Sequence, residues 1–347
     1  MTGRERVLAA IRHKVPDRIP VSVICIDDPA PIATYLGIEP EAVGARLGID
    51  SGIVAAWSYT GTRPPSRDGQ SVDEWGASAW NEYGVGHFYP LADAATVRDV
   101  ERYPAPDPRA YNFAEAAESV RRAGAAQAPR GPYWRPIFCQ ACALLGMEEA
   151  LVKMRMEPAV FAAVLEKVTD HVAAYCEQWL DACGDALPIF CLGDDFATQR
   201  GLLLSPADWR QFLKPHYARL FALGRQRGKP VWFHSCGDVT AILPDLIEIG
   251  MDVWETVQLH ALPMSACELK RRFGKDLAFF GGVNTQRLPF ARPEEVRAEV
   301  QRCIEDLGEG GGYICGPDHH IKPDVPPANT IALFDAATTF RRTGYAR

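Results

Sequence analysis

From about residue 130 onward, apolar and polar positions fall into a repeating order. A short apolar run ends in small or polar residues, and a helix-length segment follows. The runs are Tyr133–Phe138, Leu187–Leu192, Val231–Phe233, Val253–Val257, Leu277–Phe280 and Gly312–Cys315. The helical segments fall near 147–155, 158–182, 206–227, 239–249, 264–273 and 293–307, with a last one near 327–342. Ser205-Pro206 supplies an N-cap followed by proline at the first helical position, and Pro293-Glu294-Glu295 places acids where a helix dipole favours them. Upstream, residues 3–14 form an amphipathic pattern that Pro16 ends, and Arg18–Ile24 reads as a first strand. Another strand falls near Ile53.

Strands that alternate with helices imply parallel pairing with right-handed crossovers. About eight such units fit a closed (β/α)8 TIM barrel of the α/β class, which typically needs roughly 250 residues plus insertions. A doubly wound open sheet is the alternative, but no G-x-G-x-x-G follows the first strand. Residues 51–90 are rich in Gly, Trp, Tyr and Ser, and Pro64-Pro65 and Pro104 to Pro108 mark loops. The chain therefore reads as one barrel domain over 1–347, with an irregular insertion around 57–110.

Composition narrows the partners. The chain has 347 residues, 37 Lys plus Arg against 44 Asp plus Glu, and a net charge of −7. No basic block exists, so nucleic acid and anionic membrane are poor partners. No apolar stretch is long enough for a membrane span, and the start lacks a secretory signal core, so the expected location is the cytoplasm. Ten cysteines in such a chain suggest buried thiols or metal ligands. Cys25, Cys176, Cys183, Cys267 and Cys303 read as packing, and His13, His87, His171 and His216 as surface or core histidines.

In a barrel the active site lies where strands end. The residues there are Asp27 and Asp28; Cys139, Gln140 and Cys142; Asp194, Asp195 and Gln199; His234, Cys236 and Asp238; Glu255 and Gln258; Asn284 and Gln286; and Cys315, Asp318, His319 and His320. His234-Ser235-Cys236 is the sharpest signal, because residues i and i+2 of an extended segment point the same way. An imidazole and a thiol projecting together make half a zinc site. Glu255 and Cys315 end other strands, so His234, Cys236, Glu255 and Cys315 could form a four-donor shell, with Glu255 exchangeable for substrate. Alternatively His234 and Cys236 merely cap a strand.

Asp194 and Asp195 could work as acid and base, since neighbouring like charges raise one pKa. Adjacent residues on an extended chain point apart, so one is expected to act as a cap or to pin Arg200 and the other to face the mouth. His319 and His320 are likewise expected to face opposite ways, and one of them to function. Gln199, Gln258, Asn284, Trp134 and Cys139 are candidate substrate contacts. Trp57, Tyr59, Trp75, Trp80, Tyr133 and Trp134 could wall an apolar site or belong to the core.

Read together, the strings Arg12–Val21, Asp73-Glu74-Trp75-Gly76, Gly193–Gln199, His234–Val239, Phe280–Gln286 and Gly311–Ile314, continuing through Pro317, His319 and Pro326-Pro327, resemble the uroporphyrinogen decarboxylase superfamily. The resemblance runs along nearly the whole chain and implies the single (β/α)8 barrel. True decarboxylases bind an octacarboxylate through an arginine-rich N-terminal segment. Here Ile19 to Ala45 holds no Lys or Arg. Asp27 and Asp28 stand there instead, and unpaired carboxylates facing an octa-acid are costly.

The resemblance is stronger to the superfamily's zinc methyltransferases, whose H-x-C motif matches His234 and Cys236. It implies zinc, a corrinoid (cobalamin) carried on a partner protein, and possible homodimers. Glu255 and either Cys315 or His319 would complete the metal site. The expected activity is methyl transfer between a small methylated substrate, or a thiol, and a corrinoid protein. Asp195, His319 and Asp194 are the catalytic candidates. The alternatives are a decarboxylase-like lyase acting on a porphyrinogen or smaller acid, with Arg63, Arg67 and Arg135 as carboxylate contacts, and a non-catalytic binding protein ordered by zinc.

Overall fold

The computed structural model describes residues 1–66, 71–78, 88–124 and 126–340. Six parallel strands form the central sheet in chain order: Arg130–Trp134, Ile189–Gly193, Val231–His234, Val253–Val257, Ala278–Val283 and Tyr313–Pro317. Two extended segments near the N-terminus complete the ring. Val21 bridges Cys315, Ser22 bridges Ser51, and Ile53 bridges Arg130, all in parallel. Eight segments thus close a (β/α)8 barrel.

Period-2 alternation divides the side chains. Ile189, Cys191, Trp232, Val253, Ala278, Phe280 and Ile314 fill the interior. Phe190, Leu192, Phe233, Trp254, Phe279, Tyr313 and Cys315 face outward and are covered by helices. The longest helix, Pro158–Cys183, buries Val164, Leu165, Val168, Val172 and Trp179 beneath this outer layer. At about 25 cal/mol per Å² of apolar area, each large buried side chain contributes roughly 1.5–3 kcal/mol.

The expected helices near 147–155, 158–182, 264–273 and 293–307 form as Met147–Met156, Pro158–Cys183, Ala266–Phe273 and Pro293–Leu307. The segment from Pro206 carries a π-turn at Trp209–Leu213 before continuing as Lys214–Gln226. One strand is misplaced in the sequence reading. The strand expected at Tyr133–Phe138 lies at Arg130–Trp134, and Phe138–Leu145 is a helix. Asp194 explains the change. Its carboxylate accepts the backbone N–H groups of Ile137, Phe138 and Cys139 at 2.9, 2.6 and 3.0 Å, satisfying orphan donors of that helix start. The region 57–110 is not irregular throughout, since Val97–Arg102 is a helix with a Thr96–Asp99 capping box. Arg67, Trp80 and His87 lie outside the described residues. Among the described residues, no helix is long and apolar enough to cross a membrane.

Candidate metal centre and barrel mouth

Three potential ligands meet at the C-terminal mouth of the barrel. Strand Val231–His234 ends with the imidazole of His234 pointing inward. Two residues on, the Cys236 Sγ lies 3.4 Å from His234 Nε2. Asp195 follows the neighbouring strand, and its Oδ1 is 3.7 Å from the same nitrogen. Asp195 Oδ1 also accepts the Cys236 backbone N–H at 2.8 Å, which couples the two loops. The three donor atoms lie within 4.8 Å of one another. The chain turns sharply at Gly237, whose φ is +79° and where a Cβ would stand 2.5 Å from the Thr198 carbonyl oxygen. Only glycine fits there.

Glu255 is not part of this cluster. Its side chain is fully buried below it, where Oε1 accepts from His234 Nδ1 at 3.0 Å. Its other oxygen accepts from Trp232 Nε1 at 2.5 Å and from Arg130 at 3.2 Å. Burial alone would raise the Glu255 pKa, but Arg130 and His234 outweigh it and hold the group below its usual range. An ionised Glu255 fixes the proton of His234 on Nδ1 and leaves Nε2 facing Cys236 and Asp195. This is the carboxylate–histidine arrangement that orients metal-binding imidazoles.

Cys315 does not reach the site either. It is buried on the outer face of its strand, where Tyr313 and Cys303 are its neighbours. Ile314, not Cys315, points into the barrel. Asp194 is likewise a buried support. Besides the helix start, it accepts the Tyr217 hydroxyl, and it does not pin Arg200.

Aromatic side chains fix the His234 ring. The rings of Tyr133 and Trp134 both stand 5.6 Å from it, edge to face. Adjacent residues of a regular strand would face opposite ways. Tyr133, however, has φ +73°, a left-handed conformation uncommon for a bulky residue, and both rings reach the same imidazole. The Tyr133 hydroxyl is 3.2 Å from His234 Nδ1. No signal in the sequence pointed to that contact, nor to Arg130.

Above the cluster lies a mouth cavity of about 450 Å³, lined in part by Gln199, Cys236, Gln258, His319, His320 and Phe290. His319 and His320 do not face opposite ways. Their rings pack 4.7 Å apart and both line the cavity. Burial lowers the His319 pKa to about 4, so its imidazole is neutral near pH 7. Its ring centroid is 6.3 Å from that of His234. Gln258 also accepts the Gly237 N–H at 2.9 Å. Asn284 does not line the cavity and instead caps its own loop by accepting from the Gln286 N–H at 2.9 Å. Trp134 and Cys139 line a separate pocket of about 180 Å³.

The donor set suits zinc. Zn–N and Zn–S bonds of about 2.0–2.3 Å at tetrahedral angles place donors about 3.5 Å apart, close to the 3.4 and 3.7 Å found here. Burial lowers the His234 pKa, but Cys236 and Glu255 outweigh it and hold it well above the usual value. Asp195, His234 and Cys236 would hold such an ion, and three protein donors would leave it able to take one further ligand.

Comparison with known proteins agrees with this architecture. The family model for uroporphyrinogen decarboxylase (URO-D) matches residues 82–340. The chain belongs to the URO-D family. A uroporphyrinogen decarboxylase from Thermus thermophilus is 30% identical over 183 residues, 50% of this chain and 47% of that protein. One from Pseudoalteromonas atlantica is 24% identical over 287 residues, covering 76% and 74% of the two chains. The match thus spans about half the length of the first relative and three quarters of the second. A methyltransferase from Methanosarcina mazei superposes with a TM-score of 0.68 at 20% identity, covering 97% of this chain and 98% of that one. The two folds therefore agree over essentially the whole molecule.

Proposed function

We propose that this URO-D family member is a zinc methyltransferase that moves a methyl group between a small substrate and a corrinoid carried by a partner protein. The observation that carries the reading is the Asp195–His234–Cys236 cluster, backed by Glu255 and open to the mouth cavity. Bound there, zinc would act as a Lewis acid and hold a thiol as thiolate, or stabilise a leaving group, near neutral pH.

The chain's own residues supply the rest. Glu255 holds the His234 proton on Nδ1, and Arg130 neutralises Glu255. Asp195 ties the Cys236 loop in place. Neutral His319, facing the cavity, can hydrogen-bond a substrate or accept its proton. Gln199 and Gln258 offer neutral hydrogen-bonding groups at the rim.

A porphyrinogen decarboxylase reading fits less well. Among the described residues lining the mouth cavity, Lys322 is the one Lys or Arg, and it already pairs with Asp27 at 3.2 Å. An octacarboxylate would enter without matching cations. A purely structural zinc would call for a closed four-ligand shell, whereas three donors converge here.

The test is elemental analysis of the purified protein beside a His234→Ala/Cys236→Ala variant. One zinc per chain, lost in the variant, is the expected result. Absence of zinc after reconstitution under reducing conditions would overturn the proposal.

A further inference from the structure

The pocket of about 180 Å³ beside Trp134 is lined by charges of both signs that do not meet. Arg135 donates to the carbonyl oxygens of Ala56 at 3.0 Å and Trp134 at 3.4 Å. Its guanidinium lies 4.1 Å from the Tyr175 ring centroid and 5.1 Å from that of Tyr111. Glu74 accepts the Tyr111 hydroxyl at 2.8 Å. Asp73 accepts the backbone N–H groups of Trp75 and Ala77, each at 2.9 Å. Glu74 is near enough to help raise the Arg135 pKa, and Asp73 also accepts from the Gln140 amide at 3.4 Å, but among the described residues none of the three charges forms a direct salt bridge.

Half-buried opposite charges normally pair, because each is costly alone. Here backbone carbonyls and stacked rings hold the guanidinium back, and the pocket lies among the charges. A simple cation would meet Arg135, and a simple anion would meet Glu74 and Asp73. A molecule carrying both charges answers both. The walls add a preference, since the indoles of Trp75 and Trp134 and the phenol of Tyr111 line the same space. Aromatic faces of this kind attract methylated ammonium groups.

We infer that this pocket binds a small N-methylated zwitterion, its carboxylate toward Arg135 and its ammonium toward Glu74 and Asp73 among the aromatic rings. The Trp134 ring lines the pocket and also packs edge to face against the His234 ring, 5.6 Å between centroids. The ligand's role as the methyl-bearing substrate rests on the function proposed above, but its binding does not.

Calorimetry on the intact protein tests this, with glycine betaine and N,N-dimethylglycine as probes and tetramethylammonium and propionate as single-charge controls. The zwitterions are expected to bind more tightly than either control. Glu74→Gln, close in shape to wild type, and Arg135→Gln are each expected to weaken betaine about tenfold, as for loss of one partly buried charge–charge attraction. Binding should persist in the His234→Ala/Cys236→Ala variant, which separates this inference from the metal proposal. Tetramethylammonium binding as tightly as betaine, no heat with either zwitterion, or indifference to Glu74→Gln would each overturn it. Should Arg135→Gln fail to fold, Glu74→Gln and the single-charge controls decide the matter.

Discussion

The Oε1 atom of Glu255 sits 3.0 Å from His234 Nδ1, while its other oxygen contacts Arg130 and Trp232. The carboxylate thus joins the imidazole to a buried guanidinium. Glu255→Gln should weaken zinc binding about 10–100-fold, the usual effect of losing such a support. Chelator competition measures it. Glu255→Ala should in addition cost about 3–5 kcal/mol of folding stability, because Arg130 is left buried and unpaired. A double change of Arg130 and Glu255 to methionine should be less destabilising than the sum of the single changes.

Cys315 provides the contrast. Buried on the outer face of its strand, it should leave zinc content unchanged when replaced by alanine, at a stability cost of about 1 kcal/mol. Asp195→Ala should lower metal content in the same measurement and cost little stability.

Asp194 and Asp195 are adjacent but should respond oppositely. Asp194→Ala strands three backbone N–H groups and the Tyr217 hydroxyl. A loss of about 3 kcal/mol or more is expected in denaturant unfolding. Activity lost by this variant should follow the folded fraction, whereas Asp195→Ala should lose activity while folded.

His171 predicts an acid sensitivity. It is 7% exposed, packs 5.0 Å from the Trp75 ring, and has its pKa lowered to about 4 by burial. Its ordinary value is 6.5. Between these two values the unfolded chain binds a proton that the folded one does not, so stability is full above pH 6.5 and falls as pH drops toward 4. The contribution is at most about 3 kcal/mol. His171→Gln should flatten this slope in pH-dependent unfolding.

Much of the architecture could be read from the alternation of apolar runs and helix-length segments, because each barrel unit writes its own local pattern. The shift of the strand at residues 130–134 could not, since the start of the next helix depends on Asp194, more than fifty positions away in sequence. His234 and Cys236 were legible from their i, i+2 spacing. The outward direction of Cys315 was in principle legible too, because Ile314 and Cys315 must face opposite sides of one strand. Asp195 joins the cluster through a bond to the Cys236 backbone, and Glu255 supports it through Nδ1. Neither role leaves a mark in local sequence.

The barrel ring is not equally bonded all round. Six strands share extended ladders, one of them with a register shift between Glu255 and Val257, but residues 21–22 and 51–53 are held by single bridges. Arg130 reinforces this side by donating to Ser22 Oγ at 2.9 Å, Ser51 Oγ at 3.0 Å and the Val23 carbonyl at 3.1 Å. Amide protons there should exchange with solvent sooner than those of the six-stranded arc. Because the same guanidinium neutralises Glu255, each local opening would also loosen the hold on His234. The slowest and fastest breathing parts of the barrel therefore meet at one arginine, and the grip on the metal is coupled to how firmly the ring stays closed.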